Sequence, residues 1–226
     1  MIELHEYASI TIGGEILFLM PDRALWWPDR KRLIIADLHL GKASHFNRHG
    51  SVLPNTPAVR DLQKLHLLCE VLNAESLLVL GDLFHSEYNN EFELLKIFKS
   101  NFPEMRLEVV KGNHDILSAE DYHSAGIILY DQYLEDGPFV FVHDPLEVKH
   151  ETKFLIGGHV HPGVVLHGKA RQHARLPCFY FTEKYAVLPA FGALTGLHAL
   201  RRQHKEDRIF ALVGEKVVEV KPVFKG

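Results

Sequence analysis

Five short motifs hold the side chains in this sequence that are best suited to bind metal ions. In chain order, they are Asp37-x-His39, Gly81-Asp82, Gly112-Asn113-His114-Asp115, His143 and Gly158-His159-x-His161. Imidazole is the commonest metal ligand in proteins, and the other donors here are carboxylates and one amide oxygen. Because the set contains no thiolate, it suits manganese, iron or zinc rather than monovalent copper.

The spacing inside the motifs indicates how such ligands would be grouped. Side chains alternate along an extended segment, so Asp37 and His39 would point to the same side, as would His159 and His161. A carboxylate such as Asp82 can bridge two ions. Two ions roughly 3.5–4 Å apart form the clamp that supports in-line displacement at phosphorus. Phosphate ester hydrolysis is therefore the chemistry that these residues predict.

Each motif directly follows a segment that we predict to be a buried strand, with Lys111 intervening once. These segments are Leu33–Ala36, Leu77–Leu80, Arg106–Val110, Phe139–Val142 and Phe154–Ile156. A short, continuous apolar run such as Leu33–Ala36 is typical of a strand that is covered on both faces. Since ligands in open α/β sheets bind beyond the carboxyl ends of the strands, we expect the five motifs to converge on one edge. The glycines before the ligands would allow tight turns there.

The other elements change in character halfway along the chain. The first half combines a hairpin, Glu6–Met20, with helices at Thr56–Leu72 and Glu91–Phe98. The second half consists mainly of short strands, predicted at Ile127–Tyr130, Val164–Leu166, Cys178–Thr182, Tyr185–Leu188, Ile209–Val213 and Val217–Val220. This pattern predicts two packed sheets with helices outside them. No linker of Pro, Gly or Ser divides the chain, so we expect one domain over residues 1–226.

Composition narrows the class of protein. The chain has 226 residues, 24% of them charged and 46% hydrophobic, which is ordinary for a soluble globular protein. It has no apolar run near 18 residues and no signal-like start, so we expect a cytoplasmic protein without a membrane partner. The net charge of −4 shows no basic stripe of the kind used to track long nucleic acid, although a local basic patch remains open.

In these five motifs and their order, the chain resembles the calcineurin-like metallophosphoesterase superfamily. The resemblance spans Asp37 to His161 and implies an α/β fold, a four-layer αββα sandwich of two mixed β-sheets flanked by helices. It also implies two divalent metal ions, with manganese expected and iron or zinc as alternatives. The implied ligands of the first ion are Asp37, His39, Asp82 and His161. Those of the second ion are Asp82, Asn113, His143 and His159. His114 would contact the phosphate and protonate the leaving oxygen, and Asp115 would orient His114.

One departure from the family pattern points to a narrower subgroup. Many members have a second aspartate in the second motif, where this chain has His85. His85-Ser86, residues 37–42 and residues 188–192 resemble the bacterial DNA ligase-associated metallophosphoesterases. Members of this subgroup are encoded beside a DNA ligase and a helicase and are linked to nucleic-acid repair. Their reported activities include hydrolysis of 2′,3′-cyclic phosphates.

Several further residues are candidates for contact with the substrate. Lys42, Arg48 and His85 are candidates for contact with an anionic substrate, and a solvated loop is an equally good interpretation of the first two. Trp26-Trp27 favours core packing over an exposed platform for stacking bases.

The predicted function is hydrolysis of phosphodiesters or monoesters, at nucleic-acid ends or 2′,3′-cyclic phosphates. The alternatives are a DNA endonuclease that acts with ligase and helicase partners, and a non-catalytic scaffold like the retromer subunit of this superfamily. The presence of His114 and of every ligand position favours the enzyme over the scaffold.

Overall fold

The computed structural model describes residues 7–40, 57–84, 90–167 and 173–221. Its helices are α1 (Pro57–Leu72), α2 (Asn90–Ser100) and α3 (Ala119–Ser124), with a short 3-10 helix at Pro28–Arg30. The first two were predicted from their apolar spacing. Helix α3 was not, since six residues are too few for a helical period to show.

The first sheet has seven strands, which lie side by side in chain order. They are β1 (Ala8–Ile12), β2 (Glu15–Met20), β3 (Ala24–Trp27), β4 (Arg32–Ala36), β5 (Ser76–Leu80), β6 (Arg106–Val110) and β7 (Ile127–Tyr130). Neighbours from β1 to β4 are antiparallel, and those from β4 to β7 are parallel. The β1–β2 pair is the predicted hairpin.

The second sheet has nine strands. They are β8 (Tyr133–Asp136), β9 (Phe139–Val142), β10 (Phe154–Gly157), β11 (Pro162–His167), β12 (His173–Phe181), β13 (Tyr185–Val187), β14 (His198–Ala199), β15 (Arg208–Val213) and β16 (Lys216–Glu219). The order is β14-β11-β12-β13-β10-β9-β8, and β15 joins β12 to β16. Strands β9, β10 and β13 are parallel, whereas most other pairs are antiparallel. The predicted α/β class with two mixed sheets is confirmed.

Strand β4 shows why its predicted segment, Leu33–Ala36, is apolar throughout. Ile34 points into the core between the two sheets, where Phe141 and Phe179 of the second sheet meet it. Leu33 points the other way, into the core beneath the helices, which also contains Leu65 of α1. Because neighbouring side chains alternate between two buried faces, neither position tolerates a polar residue.

The described helices all contribute to the core on the outer face of the first sheet, α3 through Tyr122. The outer face of the second sheet carries smaller clusters made by its own strands, including Cys178, Tyr180 and Ile209. The four-layer sandwich implied by the resemblance thus has its helical layer, within the described ranges, on one side. Strand follows strand too closely in the second half for long helices to form. No described helix is long and apolar enough to cross a membrane.

Strand β3 was not among the strands predicted from the sequence, although all four of its residues are apolar. Trp26 and Trp27 are 3% and 0% exposed. The Trp27 ring packs edge-on against Phe139 at 5.0 Å, in the core between the sheets. The core-packing interpretation of this pair is confirmed, and the exposed stacking platform was wrong.

Candidate metal centre

Two groups of potential metal ligands lie at one edge of the sandwich, just beyond strands β4, β5, β9 and β10. Within each group the ligand atoms lie within 4.8 Å of one another. The first group is Asp37, His39 and His161, and the second is Asp82, His143 and His159. Each group takes residues from both sheets, so packing of the sheets brings the motifs together.

The backbone that carries these residues turns sharply as it leaves the strands. Five of the six residues have a positive φ, between 48° and 66°, namely Asp37, His39, Asp82, His159 and His161. The expectation of extended Asp-x-His and His-x-His segments was therefore wrong. Left-handed backbone is uncommon outside glycine and concentrates at functional sites. The conformation lets the adjoining loops bond to each other, with His39 N donating to Asp82 O at 2.8 Å.

The histidine rings meet nitrogen to nitrogen. His39 Nε2 lies 3.3 Å from His161 Nε2, and His143 Nε2 lies 3.0 Å from His159 Nδ1. The opposite nitrogen of the His143 ring, Nδ1, lies 3.2 Å from Leu80 O. A proton on Nδ1 would be donated to that carbonyl and would leave a lone pair on Nε2, as in many metal-bound histidines. Converging nitrogen lone pairs beside carboxylates fit a cation.

Asp82 faces both groups. Its Oδ2 lies 3.6 Å from His39 Nε2 in the first group, and its Oδ1 lies 3.6 Å from His143 Nε2 in the second. The backbone N–H of His114 donates to Oδ1 at 2.9 Å, which fixes the carboxylate in this orientation. Asp82 has the geometry of a ligand shared by two ions.

Asp37 is fully buried and held from the opposite sheet. The backbone N–H of His159 donates to its Oδ2 at 2.9 Å, and Oδ1 lies 3.7 Å from His161 Nε2. Burial raises the pKa of Asp37 above its ordinary value, although His161 and His143 act to lower it. A divalent cation would favour the ionised carboxylate and oppose the effect of burial.

Two glycines make this packing sterically feasible. A Cβ on Gly81, which has a φ of +74°, would lie 2.0 Å from His143 Nδ1. A Cβ on Gly158 would lie 2.5 Å from Asp37 Oδ2. The predicted close approach of backbone to ligands is confirmed at both positions.

The Gly112–Asp115 loop lies against Asp82. Asn113 and His114 are exposed, and the His114 ring stands 5.6 Å from the His39 ring between centroids. The buried carboxylate of Asp115 accepts hydrogen bonds from Gly112 N at 2.8 Å and Phe84 N at 3.1 Å. It therefore ties the loop after β6 to the loop after β5.

Tyr122 of α3 adds a third hydrogen bond to Asp115 in this connection between the two loops, and it was not predicted from the sequence. Its hydroxyl donates to Asp115 Oδ1 at 3.0 Å. Burial raises the pKa of Asp115, and the three hydrogen bonds partly offset that effect. The orienting role of Asp115 toward His114 stays a prediction.

Residues 189–193, which follow β13, form a strap across the Asp37 loop. Phe191 N donates to Ala36 O at 2.8 Å, and Gly192 N donates to Asp37 O at 3.2 Å. Asp61 of α1 anchors the strap by accepting from Ala193 N at 2.9 Å. The sequence singled out residues 188–192 only as a subgroup motif, and no spacing rule linked them to the metal ligands.

The three candidates for substrate contact, Lys42, Arg48 and His85, lie outside the described residues. Their roles stay predictions.

The fold and the site together define an α/β sandwich with two His/Asp groups suited to divalent metal ions. No family model matches this chain, and no curated protein matches it. Among solved structures, the chain is similar to the crystal structure of Pseudomonas putida nuclease MPE. The TM-score is 0.78 at 29% sequence identity, and the match covers 95% of this chain and 100% of that one.

Proposed function

We propose that this protein is a metal-dependent phosphodiesterase of the calcineurin-like metallophosphoesterase type and that it cleaves nucleic acid. The observation that carries the proposal is the meeting of two three-residue ligand groups at Asp82, whose two oxygens face different groups. Similarity to a structure described as a nuclease supports the choice of phosphodiester substrates. A scaffold would not require this complete donor set.

In this proposal the first ion is held by Asp37, His39 and His161. The second is held by Asn113, His143 and His159, and Asp82 is shared. Manganese is the proposed metal, with iron and zinc as alternatives, because the donors are carboxylate, imidazole and amide. When bound, the ions lower the pKa of an attacking water and stabilise charge on the phosphate oxygens.

The residues of the chain orient and protonate the substrate. His114 is exposed beside His39, where it can reach a phosphate at the metal groups and donate a proton to the leaving oxygen. Its backbone is held by Asp82, and its loop is held by Asp115. The side chain can therefore be placed accurately without being a metal ligand.

The resemblance to the ligase-associated subgroup supports a finer proposal. Nucleic-acid ends and 2′,3′-cyclic phosphates would be substrates, and a DNA ligase and a helicase would be functional partners in repair. The competing candidate is an endonuclease that cuts within a strand, which the nuclease neighbour favours.

A substrate panel tests these proposals. Purified protein with Mn²⁺, Fe²⁺ or Zn²⁺, or with EDTA, is incubated with bis-p-nitrophenyl phosphate, a single-stranded oligonucleotide, supercoiled plasmid and a 2′,3′-cyclic nucleotide. We expect metal-dependent cleavage of the first two, and turnover of the 2′,3′-cyclic nucleotide if the finer proposal holds. Internal cuts without cyclic-phosphate turnover would select the endonuclease. No hydrolysis of any substrate with any metal would overturn the proposed function.

A further inference from the structure

The β11–β12 hairpin extends beyond the edge at which the metal groups lie. Gly157, Val187 and Tyr180 are aligned across β10, β13 and β12, and His159 comes two residues after Gly157. Strand β12 runs antiparallel to β13 and begins seven residues before Tyr180, at His173. At about 3.3 Å per residue, the hairpin extends roughly 20 Å beyond the level of these three aligned residues. We call residues 162–167 and 173–177 the arm.

One face of the arm continues the inner face of the second sheet. Phe179 points into the core between the sheets, whereas Cys178 points into the outer cluster together with Val164. Because side chains alternate along a strand, Arg175 shares the inner face with Phe179. Its cross-strand partner is Val165, on the same face. The inner face of the arm therefore borders the opening between the sheets where the metal groups lie.

Positive charge is concentrated in this part of the chain. From His159 to Lys205 the sequence has a single acidic residue, Glu183, in a protein whose net charge is −4. Glu183 lies in the turn after β12, at the end of that strand remote from Arg175. The described residues of the arm thus carry one arginine, Arg175, and no acidic side chain.

The exposed Arg175 side chain is connected by hydrogen bonds to the backbone of a candidate metal ligand. Its Nη1 donates to Leu197 O at 3.2 Å. The next residue, His198, donates its backbone N–H to His161 O at 2.9 Å. This short chain of contacts connects the guanidinium to His161 through backbone. The guanidinium keeps further N–H donors for a ligand.

We infer that the inner face of the arm binds the sugar–phosphate backbone of a nucleic-acid strand that leads into the metal centre, with Arg175 on a phosphate next to the scissile one or a few nucleotides away. The inference rests on the proposed function. Arginine presents a planar fork that matches phosphate geometry, and phosphate contacts fix the register of a strand without reading its sequence. Val165, opposite Arg175, lies four residues from His161, or about 13 Å along the strand.

Two matched variants, each of which introduces a carboxylate, test whether the inner or the outer face of the arm and the adjoining strand binds nucleic acid. Ala199 of β14 is exposed and pairs with Gly163 on the inner face, whereas Ala174 is exposed and pairs with Leu166 on the outer face. Binding of a labelled, hydrolysis-resistant phosphorothioate oligonucleotide is measured by fluorescence anisotropy in the Mn²⁺-loaded protein. We expect Ala199→Glu to weaken binding by about tenfold or more, because the new carboxylate repels the phosphates, and Ala174→Glu to retain wild-type affinity.

The Arg175→Ala variant tests the contact itself and does not depend on the fold tolerating a new charge. We expect the slope of log affinity against log salt to fall by about 0.7–1, the change expected for one lost phosphate contact. Arg106→Ala, an exposed arginine at the far end of the first sheet, should leave the slope unchanged. Turnover of bis-p-nitrophenyl phosphate should be unaffected in the two control variants, Ala174→Glu and Arg106→Ala, which lie outside the inner face.

Wild-type affinity and slope in both Arg175→Ala and Ala199→Glu would overturn the inference. An equal loss in Ala174→Glu would also overturn it, since total charge would then matter and not the inner face. If no protein hydrolysed bis-p-nitrophenyl phosphate while oligonucleotide binding still depended on Arg175, the arm would stand and the proposed function would fail.

Discussion

The strands β4 to β6 carry a buried charged cluster at each end, and the two clusters are built in opposite ways. At the amino ends, Arg32 is 3% exposed and donates to Glu108 at 2.9 Å and to Asp136 at 2.8 Å. Ser76 and Tyr130 complete the hydrogen bonds of this cluster. Opposite charges therefore meet within the protein, and Asp136 links the first sheet to the second.

At the carboxyl ends, like groups face each other. Imidazole nitrogens approach within 3.0 and 3.3 Å, beside the buried carboxylates of Asp37 and Asp82. This cluster consists of carboxylates and imidazoles, whose lone pairs can be shared with a cation. The comparison teaches that the buried charge at the amino ends is balanced by side chains of the fold itself, whereas the cluster at the carboxyl ends is suited to a cation supplied from solution.

Asp82→Asn should produce the largest effect, because it removes the anion that faces both ligand groups. We expect loss of bound metal together with loss of hydrolysis, by more than the 10²–10⁴-fold typical of a general acid. Elemental analysis after gel filtration measures the metal, and thermal unfolding in EDTA should show a fold as stable as wild type. Two full equivalents of metal with wild-type turnover would refute the shared-ligand assignment.

Arg32→Met breaks the other cluster and should leave the metals in place. It leaves buried Glu108 without its cation, whereas Asp136 keeps Arg30 at 3.2 Å. Removing one partner of a buried pair typically costs about 3–5 kcal/mol. The free energy of unfolding by urea measures the loss. The double variant Arg32→Met, Glu108→Leu should recover part of it. Loss of metal binding in a folded Arg32→Met protein would contradict the independence of the two ends.

His114→Ala separates binding from chemistry within the carboxyl-end cluster. We expect both metal ions to remain and turnover to fall by about 10²–10⁴-fold. The loss should be smaller for nitrophenyl esters, whose leaving oxygen needs little protonation, than for alkyl esters. Equal losses on the two ester types would count against the role as acid.

Tyr122→Phe should give the smallest effect. It removes one hydrogen bond to buried Asp115 while the bonds from Gly112 and Phe84 remain. We expect a loss of about 1 kcal/mol in the free energy of unfolding and retention of both metals. Tyr130→Phe, which removes a comparable bond to Glu108 at the amino end, is the matched comparison. A loss of metal in Tyr122→Phe alone would show that Asp115 positions the ligands.

The sequence by itself determined which side chains could bind metal ions and where along the chain they lie. Apolar runs such as Leu33–Ala36 specify strands covered on both faces, and polar motifs that directly follow such strands must lie at their carboxyl ends. Strand periodicity and turn residues are local properties, so they could be read from the sequence without knowing which strands are neighbours. The same locality explains why α3 was missed, since its six residues are too few to show a helical period.

The resemblance implied how these side chains are divided between two ions, but their spacing did not, and only the tertiary structure shows how they are held. His159 and His161 are two residues apart in the chain, yet positive φ angles send them to different ligand groups. The strap at residues 189–193 and the hydrogen bond between Asp115 and Tyr122 depend on which loops come to lie against each other. Sheet pairing and the packing of the two sheets determine those contacts, and both join residues distant in sequence, which no local pattern encodes.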